Sequence, residues 1–102
     1  MSVPVAYQSS KAAIAQLCKA LADEWSEFGI RTTGIAPGWT MTEMTAAVAE
    51  DPVKYPSTLK QIPLGQWATP SDYKGISILL ASHAGDYING VLIPVDGGFL
   101  AR

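Results

Sequence analysis

Two short stretches, residues 30–36, rich in Thr and Ile, and the apolar 91–95, read as strands in this sequence, and residues 37–90 lie between them. Antiparallel strands can be joined by a tight turn, whereas parallel strands need a crossover of a dozen or more residues, usually helical. The long helical and turn-rich interval therefore predicts two parallel strands joined by a crossover, within an α/β layer arrangement. Two strands alone make a poor sheet. The chain thus reads as part of a larger α/β sheet.

A helix is predicted from about Tyr7 to Phe28, because Ile14, Leu17, Cys18, Leu21, Trp25 and Phe28 recur at three- and four-residue spacing and Gly29 supplies a stop. That stripe is expected to be buried, with Lys19, Asp23 and Glu27 outside. The strand at 30–36 is rich in Thr and Ile and is interrupted by Gly34; Pro37-Gly38 breaks the chain after it. A second helix is expected from Thr42 to about Glu50. Residues 52–68, with Pro52, Pro56, Pro63 and Gly65, read as an irregular excursion. Thr69 as N-cap, Pro70 at the first helical position and Asp72 in the first turn then start a third helix. It runs to about Ser82 with Tyr73, Ile76, Ser77 and Leu80 on one face. Asn89-Gly90 makes a turn, and Pro94 places the strand 91–95 at a sheet edge or gives it a free side.

Composition narrows the function classes. At 102 residues the chain is one domain at most, with room for a modest core. A net charge of −2 supplies no basic stripe for a phosphate backbone, so a nucleic-acid partner is not expected. No apolar run approaches the roughly 18 residues that span a bilayer, so no membrane partner is expected either. The N-terminus lacks a basic segment followed by an apolar run, which argues against a leader. Cys18 is the single cysteine and His83 the single histidine, too few for an internal disulfide or a zinc site. No metal is implied, and a reducing, cytoplasmic setting fits best.

Tyr7 and Lys11 are four residues apart and are neighbours on a helix, about 5–6 Å between Cβ atoms. They head the stripe that continues through Ile14, Cys18, Leu21, Trp25 and Phe28. A lysine on a buried stripe is costly unless a ligand or cleft compensates its charge. The plainer alternative is that Lys11, in the first turns, snorkels to water. An ammonium beside a phenol favours the ionised phenol, and such a tyrosine can give or take a proton at a carbonyl or alcohol oxygen.

The pair does not stand alone. Tyr7-Gln8-Ser9-Ser10-Lys11-Ala12-Ala13 is followed by Gly29-Ile30-Arg31, Ile35-Ala36-Pro37-Gly38 and Thr42-Glu43-Met44. Later come Pro63-Leu64-Gly65, Ala68-Thr69-Pro70, Ile88-Asn89-Gly90 and Val95-Asp96-Gly97-Gly98. In this order and spacing the series resembles the C-terminal third to half of a short-chain dehydrogenase/reductase, over essentially the whole chain. The resemblance implies the C-terminal portion of a Rossmann-like doubly wound parallel sheet, with two parallel strands, about three helices and the first half missing. Residues 1–29 would form the catalytic Tyr-Lys helix, 37–68 the nicotinamide-side loop and substrate lid, and 69–102 the last helix and strand.

The resemblance also implies roles. Tyr7 would be the general acid/base, and Lys11 would favour its ionised form and hold the nicotinamide ribose hydroxyls. Tyr7, Lys11, Pro37, Gly38, Thr40 and Thr42 would contact NAD or NADP. Thr40 stands where the family usually has Ile or Val, so only a backbone role carries over to it. For Thr42 a helix N-cap is the plainer reading, and for Pro37-Gly38 a strand-to-loop break; neither excludes the family role. The tail is similar to that of sugar-acid dehydrogenases of the 2-deoxy-D-gluconate 3-dehydrogenase and gluconate 5-dehydrogenase kind. The implied partners are a small alcohol or ketone substrate and further copies of the chain, since the family is usually dimeric or tetrameric.

The sequence departs from the family pattern in one major way. Only six residues precede Tyr7, so the catalytic serine, the catalytic asparagine and a glycine-rich pyrophosphate loop are not in it. The isolated chain is therefore expected to bind dinucleotide poorly. A second reading follows: a non-catalytic remnant that self-associates through uncovered apolar surface. Of the remaining residues, His83 suits a helix C-terminus and Cys18 an inert place on the stripe. Trp25 and Trp67 read as packing residues, and Trp39 as packing or a substrate wall.

Overall fold

In the computed structural model, residues 4–101 are described, so the outermost ends of the predicted segments 1–29 and 69–102 fall outside it. The chain forms two compact units. One comprises Met1–Ile35 with Leu80–Ile93, the other Ala36–Leu79 with Pro94–Arg102. The elements are α1 (Val5–Trp25), β1 (Gly34–Pro37), α2 (Ala46–Ala49), α3 (Lys54–Gln61), α4 (Lys74–Ala81) and β2 (Leu92–Val95), with short 3-10 turns at several ends. β1 and β2 pair as the two-stranded parallel sheet that the spacing predicts.

In the first unit α1 is rich in strong helix formers, with alanine at 6, 12, 13, 15, 20 and 22 and no interior Gly or Pro. A single 3-10 turn, Ser26–Phe28, extends it to Gly29 at φ 75°, a left-handed conformation that glycine adopts without strain. The Gly29 amide bonds the Ser26 carbonyl at 3.0 Å and the Ile30 amide bonds that of Trp25 at 3.3 Å. The predicted helix and its stop are both present.

Its predicted burial is not. Ile14, Leu17, Trp25 and Phe28 are 49%, 52%, 40% and 69% exposed, whereas Ala22 is buried and Ala15, Cys18 and Leu21 half-buried. Among the described residues, the neighbouring elements cover the side of α1 that carries Ala15, Cys18, Leu21 and Ala22. Ala22, for instance, lies 3.1 Å from the point where a Cβ on Gly90 would stand.

The strand predicted over 30–36 begins only at Gly34. Residues before it are tied to the Asn89-Gly90 turn instead. The Thr32 amide donates to Asn89 Oδ1 at 2.9 Å, and the Gly90 amide donates to the Thr32 carbonyl at 2.8 Å. The Asn89 amide group also donates to Ser26 Oγ at 2.8 Å. A side chain thus takes the place of a ladder partner, and regular pairing starts where the Gly34 amide meets the Val91 carbonyl at 2.9 Å. The interruption read at Gly34 is a close approach: a Cβ there would lie 2.6 Å from Leu92 Cδ1 and 3.0 Å from Cys18 Sγ.

The second unit contains the largest departure from expectation. Residues 54–61, predicted to be irregular, form α3. Asp51 starts it, accepting the Val53 and Lys54 amides on Oδ1 at 2.9 Å each. Pro56 falls in the first turn, where the missing N–H is one of the helix's unpaired donors anyway. Counting prolines as breakers concealed a helix that carries one in its first turn. α3 brings Thr58 against Trp67, both buried, and Ile62 just past its end is buried as well.

The second and third predicted helices are present in broken form. Thr42 caps a 3-10 turn (Glu43–Thr45) that runs into α2, and Thr69 caps a second turn (Pro70–Tyr73) that runs into α4. The Thr69 amide donates to Asp72 Oδ2 at 2.7 Å. Tyr73, Ile76 and Leu80 are half-buried as the periodicity predicts; Ser77 is exposed, its hydroxyl donating to the Tyr73 carbonyl. Pro94 is tolerated because, among the described residues, β2 has a single neighbour.

Candidate active site

The six residues singled out from the sequence divide between the units. Tyr7 and Lys11 belong to the first; Pro37, Gly38, Thr40 and Thr42 belong to the second.

On α1 the four-residue spacing brings Tyr7 and Lys11 to one side of the helix. Lys11 Nζ lies 5.4 Å from the centroid of the Tyr7 ring, a cation–π distance. Both side chains are exposed. Among the described residues neither the Tyr7 hydroxyl nor the Lys11 ammonium makes a hydrogen bond or an ion pair. Lys11 is thus open to water, as the snorkelling alternative required, and the two polar groups are left available to a ligand. Ser10 directs its hydroxyl to the Tyr7 carbonyl at 2.8 Å, one turn back along the helix.

In the second unit Pro37 ends β1, and Gly38 lies where no side chain fits. A Cβ on Gly38 would stand 2.8 Å from both Cα and Cβ of Asp96, and the Gly38 amide donates to the Val95 carbonyl at 3.1 Å. Trp39 and Met41 then bridge to Ala68 in parallel register: the Ala68 amide donates to the Trp39 carbonyl and the Met41 amide to the Ala68 carbonyl, each at 2.9 Å. That register turns the Thr40 amide to the opposite edge. The Thr40 carbonyl accepts the Thr45 hydroxyl at 2.6 Å.

Thr42 fills the capping place. Its amide donates to Thr45 Oγ1 at 3.1 Å, and its hydroxyl is 3.3 Å from that of Thr45. Beside this loop is a cleft of about 250 Å³ whose lining includes Trp39, Leu64, Gln66, Trp67, Asp72 and Asp96. Trp39 stacks on Trp67 with centroids 5.0 Å apart at 14°, and Tyr55 meets Trp67 edge-on at 5.1 Å. Trp39 is therefore both a packing residue and part of a cleft wall.

Two contributors escaped the sequence reading. Tyr73 was legible only as a helix-face residue, yet its hydroxyl is 2.7 Å from that of Thr40. Thr58, which receives the Trp67 indole N–H at 2.7 Å, lay in the stretch read as irregular. An Asp three residues before a lysine-led run, as at Asp51 and Lys54, was the available signal for the helix that carries Thr58. Of the residues set aside, His83 is fully exposed and pairs with Asp86 at 3.1 Å. No helix of the described residues is long and apolar enough to cross a membrane.

Comparison with known proteins places this geometry. The sequence profile of the family described as Enoyl-(Acyl carrier protein) reductase matches residues 1–100. A 2-dehydro-3-deoxy-D-gluconate 5-dehydrogenase from Pseudoalteromonas atlantica is 44% identical over 94% of this chain and 38% of its own length. A galactitol 2-dehydrogenase (L-tagatose-forming) from Cereibacter sphaeroides is 40% identical over 91% of this chain and 37% of its own. Among solved structures, a gluconate 5-dehydrogenase from Burkholderia cenocepacia, in complex with NADP and tartrate, superimposes with a TM-score of 0.93 at 33% identity. It covers 100% of this chain, which corresponds to 41% of that structure. The chain therefore spans well under half the length of these relatives.

Proposed function

This chain belongs to the short-chain dehydrogenase/reductase family, and from that premise we propose that it supplies the proton-transfer end of an NAD(P)-dependent oxidoreductase. The reaction interconverts a secondary alcohol and a ketone on a sugar acid or similar small polyol, the class named for its relatives. One observation carries the reading: an exposed phenol and an exposed ammonium, 5.4 Å apart from ring centroid to Nζ, with no competing hydrogen-bond partner among the described residues.

The same observation serves as a test of fit for the nicotinamide end of the cofactor. Lys11 offers three N–H donors to ribose hydroxyls, and Tyr7 offers one more. Pro37, Gly38 and the outward-turned Thr40 amide would flank the ring, with Thr42 beside them. When bound, NAD or NADP would supply or accept the hydride at the carbinol carbon. In the reducing direction Tyr7 gives its hydroxyl proton to the ketone oxygen; in the oxidising direction the phenolate takes the proton from the alcohol. Lys11 places its ammonium charge over the same ring. Tyr7→Phe keeps the ring over which Lys11 lies and removes the proton. In the oxidoreductase that carries these residues it should lower kcat by about 10²- to 10⁴-fold, the usual size of an acid/base contribution. A variant within twofold of wild type would sink the assignment.

A second reading is favoured by a different observation. Ile14, Leu17, Trp25 and Phe28, on α1 and the turn that extends it, are between 40% and 69% exposed, and large exposed apolar surface marks an interface. On this reading the 102-residue chain is a self-associating module. Sedimentation of a well-behaved monomer would rule it out.

A further inference from the structure

We propose that Tyr73 is a positioning residue: its hydroxyl, acting through Thr40, fixes the conformation of the loop from Gly38 to Thr45. The significance given to that loop rests on the nicotinamide reading above; the anchor itself does not.

The proton count orders the contacts. The Thr40 hydroxyl has one proton, and it donates to the Gly38 carbonyl at 2.9 Å. It therefore accepts at its 2.7 Å contact with Tyr73, whose hydroxyl is the donor. The Tyr73 oxygen is also 3.5 Å from the Val95 carbonyl, at the limit of hydrogen bonding, so Thr40 is the stronger acceptor. A chain of two bonds thus runs from the Tyr73 phenol through the Thr40 hydroxyl to the Gly38 carbonyl. The Thr45 hydroxyl closes the other side of the loop on the Thr40 carbonyl at 2.6 Å.

The anchor point is itself held. Tyr73 ends the Pro70–Tyr73 turn, which begins at the Thr69–Asp72 cap and whose proline has a fixed φ. The phenol is half-buried, and the hydroxyl contacts are part-buried, where a hydrogen bond counts for more than in open water. Gly38 already packs closely on Asp96 and donates its amide to the Val95 carbonyl, so Thr40 is the next point at which the loop can be fixed. A tyrosine reaching from the start of the last helix does this without occupying the Thr40 amide, which stays turned outward.

Amide hydrogen exchange of the 102-residue chain, read by NMR, tests the anchor. Tyr73→Phe should speed exchange at Met41 and Ala68 by about 2- to 12-fold, the range for one net hydrogen bond, and leave Gly34 and Gly90 unchanged. Thr40→Val should do the same, the double variant should add nothing further, and Thr40→Ser should behave as wild type. Unchanged exchange in Tyr73→Phe, additive single effects, or equal acceleration at Gly34 and Gly90 would each overturn the proposal. NADPH titration separates the two readings. If wild type binds, Tyr73→Phe should weaken binding by the same factor, and accelerated exchange with unchanged affinity overturns the positioning role. If wild type does not bind, as is expected of the chain without a pyrophosphate loop, the exchange data alone decide the anchor.

Discussion

Trp67 donates its indole N–H to the Thr58 hydroxyl at 2.7 Å, and both side chains are buried. Thr58 passes its own proton to the Tyr55 carbonyl at 2.7 Å, so every polar group in the contact is used. Thr58→Val keeps the shape and strands the indole N–H. An unpaired buried donor costs about 1–3 kcal/mol, and urea unfolding followed by tryptophan fluorescence should report a loss of that size. Thr58→Ser should lose less.

Gly38 and Gly34 predict a contrast. A methyl on Gly38 meets backbone, Asp96 Cα at 2.8 Å, which cannot turn aside. A methyl on Gly34 meets Leu92 Cδ1 and Cys18 Sγ, the ends of side chains that can. Gly38→Ala should therefore cost about 1–3 kcal/mol, the range for forced overpacking, and Gly34→Ala less. Thermal unfolding of the two variants checks the order.

Asp51 makes one region acid-sensitive. The Lys54 and Val53 amides, in that order, hold its carboxyl below the ordinary aspartate range. A carboxyl lowered on folding contributes stability above its unfolded value of about 3.9, and that contribution is lost as pH falls through the lower, folded value. Below about pH 4, the protection of the Val53 and Lys54 amides relative to their intrinsic exchange rates should fall. In Asp51→Asn, which keeps an acceptor without the titration, that pH dependence should disappear.

Lys11→Met removes the charge while keeping an unbranched stem. Exposed cation–π contacts contribute about 0.5–1 kcal/mol, so stability should change by no more than that. On the proposed function, kcat/KM of the oxidoreductase should fall by about 10- to 150-fold, the effect of losing one charged hydrogen bond in the transition state. A stability loss without a rate loss would make Lys11 structural only.

The apolar face of α1 predicts association of the isolated chain. Leu17 on the helix and Phe28 in the turn that extends it are 52% and 69% exposed. If that face is an interface, sedimentation velocity should show species larger than the monomer, and the double variant Leu17→Lys, Phe28→Lys should return the monomer. Because neither side chain is buried in this chain, the variant should fold as wild type by circular dichroism.

What local sequence determined is what local physics can settle. The run of helix formers closed by Gly29 was enough for α1, because a left-handed terminator needs only its own residue to lack a side chain. Thr69-Pro70 with Asp72 was enough for the start of the last helix, since a cap closes within four residues. The two strands and the residues between them implied parallel pairing through chain geometry alone, and the Tyr7–Lys11 proximity followed from helical pitch. Tertiary structure decided the rest. Whether the stripe through Ile14, Leu17 and Phe28 is covered depends on which surfaces are available to cover it, and within this chain they stay open. That Thr58 lies under Trp67, and that Tyr73 reaches Thr40, depend on residues 9 and 33 positions apart meeting in space. Periodicity within one element carries no information about such meetings.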